Sequence, residues 1–123
     1  MIVSVKRVCI LFVVLCLSVF VAGCGSEKAE RDSEAILQKA QALTPADAKL
    51  AEVYERSCVS CHAVADTSAP LTGDRESWAP RMAQGMDTLV DHVIEGYGGM
   101  PPLGLCMECE PDQFQALIEF MGQ

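Results

Sequence analysis

Cys58-Val59-Ser60-Cys61-His62 is the stretch on which the reading of this chain turns. Two thiols with two residues between them sit about one helical turn from each other, and an imidazole follows the second directly. C-x-x-C-H at this spacing is the pattern of covalent haem attachment: each thiol adds to one vinyl group of a single haem, and the histidine is held beneath the iron. Two other chemistries use paired cysteines. A thioredoxin-like redox pair lies beside a β-α-β pattern, yet no stretch here alternates as a strand would. A zinc site of two cysteines and two histidines takes its ligands at other spacings. The motif is read as binding one covalent haem c through Cys58 and Cys61, with His62 as an axial iron ligand.

The other axial ligand must come from elsewhere. Candidates are Met82, Met86, Met100, Met107, Met121 and His92. Met100 is followed by Pro101 and Pro102, which push it into an extended conformation and stiffen its loop. Gly98 and Gly99 before it let the chain pass close to a flat ring. A thioether held against a modest iron–sulfur bond benefits from such rigidity, so Met100 is the expected ligand. His92, on a helix beside Asp91, is the next choice. Cys106-Met107-Glu108-Cys109 is followed by Glu110, not histidine, so it does not call for a second haem. A disulfide closing a small ring and a regulatory thiol pair both fit these two cysteines.

Around the motif the apolar residues follow a helical period. Ile36, Leu37, Ala40 and Leu43 predict a helix over 33–43. Thr44 is the expected cap of the next helix, with Pro45 at its first position and Asp47 three residues after the cap. Leu50, Val53 and Tyr54 give that helix an apolar stripe running into Cys58. Residues 65–79 read as a loop with at most a turn of helix near Trp78. Asp87 is the expected cap of a helix carrying Leu89, Val90, Val93 and Ile94, which Gly96, Gly98 and Gly99 stop. Pro111 opens a last helix with Phe114, Leu117, Ile118 and Met121 at i, i+3, i+4 and i+7. The fold class is all-α, with short helices around irregular loops.

The front of the chain has another character. Lys6 and Arg7 precede an apolar run from Val8 to Val21, then Ala22-Gly23-Cys24, the layout of an export signal. The run is short of the roughly 20 apolar residues a membrane-spanning helix needs. Val21-Ala22-Gly23-Cys24 resembles the lipobox of bacterial lipoproteins, in which the signal is cut before a cysteine that then receives lipid. The resemblance implies a signal peptide over 1–23, a partly helical tether over 24–43 and a haem-binding domain over 44–123. It makes Cys24 the lipidation site and places the protein, lipid-anchored, on the periplasmic side of a bacterial membrane. Losing Lys6 and Arg7 leaves seven basic residues against 17 acidic ones, a balance of −10. Phosphate binding needs a basic face, so nucleic acid is excluded as a partner.

Beyond the motif, Trp78-Ala79-Pro80-Arg81, Gly85-Met86-Asp87-Thr88-Leu89, Met100-Pro101-Pro102, Gly104, Cys106 and Cys109 together resemble cytochrome c5, a small class I bacterial cytochrome, from about Val53 to Met121. The resemblance implies a cytochrome c fold of three to four short helices, His62/Met100 ligation and a Cys106–Cys109 disulfide. It also implies that the Pro70 carbonyl accepts the Nδ1 hydrogen of His62, and that Trp78 and Arg81 lie near the haem propionates. The function implied is a monohaem carrier moving single electrons between redox proteins, such as a reductase or a terminal oxidase, and not an enzyme. The alternative is a haem enzyme or a gas or redox sensor with a displaceable axial methionine. An apolar loop, Met100 to Leu105, would rim the haem edge and suit brief encounters, unless Leu103 and Leu105 pack inward. The lipobox and tether depart from a freely diffusing carrier and imply a membrane-bound relative.

Overall fold

The computed structural model describes residues 24–123. The signal-peptide reading of 1–23 and the side chain of Cys24, the lipidation candidate, lie outside the described residues. Every regular element among the described residues is helical, as the apolar periodicity predicts. The first, α1, runs Cys24–Ala42, longer than the helix expected over 33–43. Residues 34–123 form one compact unit, and the account below concerns that unit. The end of α1 belongs to it, since Ala40 is buried there.

Helix α2, Ala48–Val53, is capped by Asp47, whose carboxylate accepts from the amides of Lys49 and Leu50 at 3.0 and 2.9 Å. The expected cap, Thr44, lies outside the helix. A carboxylate satisfies two free amides and also meets the positive end of the helix dipole, where a threonine hydroxyl offers no charge. The chain continues without a break through a π-helical segment, Tyr54–Cys58, into α3, Val59–His62. Residues 48–62 are therefore one helical run, with its wider π turn just ahead of the cysteine–histidine motif. Such π turns are frequent at functional sites.

Helix α4, Arg75–Met82, extends the turn of helix expected near Trp78, while residues 65–74 form a loop as expected. Asp74 caps it by accepting from the Ser77 amide. Pro80 lies inside it, past the first turn, and removes one intrahelical amide there. Helix α5, Met86–Glu95, begins at Gly85 (φ 92°), and Asp87 sits in its first turn without capping it. Gly96 (φ 83°) ends α5, and a Cβ there would stand 2.9 Å from the Met100 carbonyl oxygen. After a 3-10 turn, Pro102–Leu105, α6 spans Pro111–Met121. The Glu110 amide donates to Gln113 Oε1 at 3.0 Å, closing the start of α6.

Counting 48–62 as one run, four helical stretches build the domain around a core of Val53, Tyr54, Trp78, Leu89 and Cys106. The stripe of α6 completes it: Phe114, Leu117, Ile118 and Met121 are each at most 4 % exposed.

Candidate functional site

The helical run, α4, α5 and the loop before α6 enclose a cavity of about 420 Å³ lined by Cys58, Cys61, His62, Pro70, Trp78, Arg81, His92 and Met100. That volume falls in the range of small-molecule and cofactor sites. The sequence-predicted residues, scattered over more than 40 positions, thus converge on one space.

His62 ends α3 and is buried. Its Nδ1 donates to the Pro70 carbonyl oxygen at 2.8 Å. That bond fixes the proton on Nδ1 and leaves the Nε2 lone pair to act as a ligand. Burial pushes its pKa below the ordinary value; the Pro70 bond opposes that shift and the charge of Arg81 adds to it. A neutral imidazole with an oriented, available nitrogen is what an iron centre requires. Trp78 stacks against this ring with centroids 5.9 Å apart, while its Nε1 donates to the Leu71 carbonyl at 2.9 Å.

Cys58 and Cys61 are not bonded to each other. Burial, with Cys61 nearby, pushes the Cys58 thiol up to about 11. A redox-active pair needs a lowered thiol pKa, and burial moves Cys58 the other way. Met100 lies on the loop after α5, and its backbone is pinned twice. The Tyr97 amide donates to the Met100 carbonyl at 3.1 Å and the Met100 amide to the Tyr97 carbonyl at 3.0 Å. Gly104 (φ 53°) completes the approach, since a Cβ there would stand 3.0 Å from Met100 Cε. Two thiols, one neutral imidazole and one thioether around a largely apolar space fit haem c.

Arg81 donates to the Ser77 carbonyl and also lines the cavity. Its guanidinium has further N–H groups suited to a carboxylate. His92, the second choice of ligand from the sequence, is half-buried against the cavity and stacks on Tyr97 with centroids 4.0 Å apart. Cys106 and Cys109 form a disulfide, with Cys106 1 % exposed. An Arg56–Glu108 ion pair ties that loop to the helical run. The apolar loop divides: Leu103 packs against the core, whereas Leu105 is 62 % exposed.

Sequence reasoning missed Tyr54, Thr72 and Ser57. Thr72 carries no motif signal, and Tyr54 read only as part of an apolar stripe. Ser57 lines the cavity with a buried hydroxyl that has no hydrogen-bond partner.

Residues 45–121 match the family model described as cytochrome c oxidase, cbb3-type, subunit III. Cytochrome c5 of Azotobacter vinelandii is 33 % identical over 73 residues, covering 58 % of this chain and 88 % of that protein. Cytochrome c-555 of Chlorobaculum tepidum is 52 % identical over 46 residues, covering 37 % of this chain and 43 % of that protein. The match to cytochrome c-555 of Chlorobaculum thiosulfatiphilum is 44 % identical and covers 54 % of it. Against the two cytochromes c-555 the chain thus spans about half of the relative's length. Among solved structures, a chain from an electron transfer complex of nitrite reductase with cytochrome c superposes with a TM-score of 0.54. It is 37 % identical, and the match covers 62 % of this chain and 93 % of that one.

Proposed function

This chain belongs to the cytochrome c family, with its fold and one covalent haem c as cofactor, and we propose that it is a membrane-anchored carrier of single electrons between redox proteins. Cys58 and Cys61 hold the haem through thioethers, and His62 and Met100 ligate the iron. The bound haem supplies a one-electron iron couple. The rest falls to the chain. Pro70 orients His62, the Tyr97–Met100 bridge holds the thioether loop, and the apolar walls keep water from the iron.

One observation carries this reading. His62 offers a neutral, oriented Nε2 in the same cavity as a backbone-pinned Met100. An iron with both axial positions filled by protein has none for a substrate or gas, which favours a carrier over an enzyme or sensor.

The partner of the solved neighbour, a nitrite reductase, supports redox proteins such as a reductase or a terminal oxidase as partners here. Anchoring rests on Val21-Ala22-Gly23-Cys24, with Cys24 as the lipidated residue on the periplasmic side. No helix among the described residues is long and apolar enough to cross a membrane.

The test is an intact mass and a pair of visible spectra on the exported protein. Expected are a mass one haem above the apoprotein, resistance to acid-acetone extraction and a reversible one-electron change. Extractable haem, or none, removes the central claim. Fatty-acid labelling that appears in the wild type and disappears in Cys24→Ser supports the anchor; unlabelled wild type in the soluble periplasmic fraction contradicts it.

A further inference from the structure

Tyr54 lies in the π-helical segment, 1 % exposed, and its hydroxyl donates to Thr72 Oγ1 at 2.8 Å. Thr72 is fully buried, and its amide donates to the His62 carbonyl at 2.8 Å. His62 in turn donates through Nδ1 to Pro70 at 2.8 Å. Three hydrogen bonds therefore join one helical run, at residues 54 and 62, to one short span, residues 70–72. Two more hold that span from outside: Trp78 Nε1 on the Leu71 carbonyl, and the Gly73 amide on the Met121 carbonyl at 2.7 Å.

Neither haem attachment nor ligation calls for a polar pair at 54 and 72. A phenylalanine and a valine would fill the same space. What the hydroxyl pair adds is direction and distance, because a hydrogen bond is restrictive in both where apolar packing is not. The segment before the span, residues 64–68, is exposed, with Asp66 and Ser68 at positive φ. Within it the Thr67 hydroxyl donates to the Cys61 carbonyl at 2.7 Å, but no bond from it reaches residues 70–72.

We propose that Tyr54 and Thr72 act together as positioning residues for His62, setting through the Pro70 carbonyl how strongly that imidazole donates to the iron. The inference rests on His62 being an axial ligand. A carbonyl held in line on Nδ1–H raises the basicity of the ring. A more basic ring stabilises oxidised iron over reduced iron and lowers the reduction potential. Loosening the span weakens the bond to Pro70, and the potential rises.

The experiment uses the full-length, haem-loaded protein and compares Tyr54→Phe, Thr72→Val and Thr72→Ser. Two quantities are read: the midpoint potential, and the hydrogen-exchange rate of His62 Nδ1–H by NMR in the reduced state. Tyr54→Phe and Thr72→Val are expected to raise the potential, up to a tenfold change in the oxidised-to-reduced equilibrium, which is about 59 mV for one electron. Both speed the exchange, and Thr72→Ser, which keeps the hydroxyl, restores wild-type values. Should either single variant fail to fold, Tyr54→Phe/Thr72→Val removes both hydroxyls of the pair, leaves neither without its partner and is expected to show the same shift. Wild-type potential and exchange in the variants that fold would reduce the pair to a structural tie and overturn the proposal. A wild-type spectrum without histidine-ligated haem would instead overturn the ligand assignment, and this proposal with it.

Discussion

Lys39 Nζ donates to the carbonyl oxygen of Gly73 at 2.6 Å, across 34 residues. Gly73 has φ +78°, and a Cβ there would stand 2.7 Å from Leu43 Cδ1 and 2.9 Å from Lys39 Cε. Glycine thus lets the end of α1 close onto the loop beside Pro70, and Lys39 fastens it. Lys39→Met is expected to lower stability by about 1 kcal/mol, the lower range for a charge-assisted bond because the lysine is largely exposed. Denaturant unfolding of the haem-loaded protein checks this; an unchanged midpoint would show that α1 is not fastened there.

Tyr54 gives the protein an alkaline limit. Burial raises its pKa above 10.0, and the Thr72 hydrogen bond opposes that shift. The unfolded phenol then releases its proton first, so the unfolded state binds fewer protons as pH rises past about 10. Stability from this group is full below that pH and is lost above it. Tyr54→Phe should flatten the decline measured by unfolding between pH 9 and about 11. Equal slopes for both proteins would assign the limit to another group.

Met100→Ala is expected to vacate one axial position. Cyanide should bind the oxidised protein quickly, the thioether-to-iron band should vanish, and the potential should fall, because histidine–methionine ligation raises it. If the spectrum survives the substitution, another residue, with His92 first in line, is the ligand.

Leu103 and Leu105 separate stability from docking. Leu103 packs on the core and Leu105 is exposed. Leu103→Asp buries a charge beside apolar side chains and is expected to cost about 3 kcal/mol or more in unfolding experiments. Leu105→Asp should leave unfolding unchanged, while its charge at the cavity rim lowers the midpoint potential. Its second-order electron-transfer rate with a redox partner should fall about tenfold, the loss of one apolar contact at a small interface. A rate indifferent to residue 105 would place the docking surface elsewhere.

The sequence alone determined what depends on neighbours in the chain. Cys58, Cys61 and His62 form a local motif, and Phe114, Leu117, Ile118 and Met121 share one face because the helix period puts them there. Local rules were less decisive where two candidates stood close together, as with Thr44 and Asp47, since capping preference ranks residues but does not choose between neighbours. Helix α4 was hidden by the proline, glycine and short polar residues before it, which local rules read as a loop. The three-dimensional fold decided what depends on distant partners. Tyr54 met Thr72, and Lys39 met Gly73, through contacts across 18 and 34 residues that no local pattern records. Leu103 and Leu105 are the same residue in the same loop, yet one packs inward and the other faces solvent. Positive φ values at Leu103, Gly104 and Leu105 turn the chain between them, and packing against the core, not sequence, selected that turn.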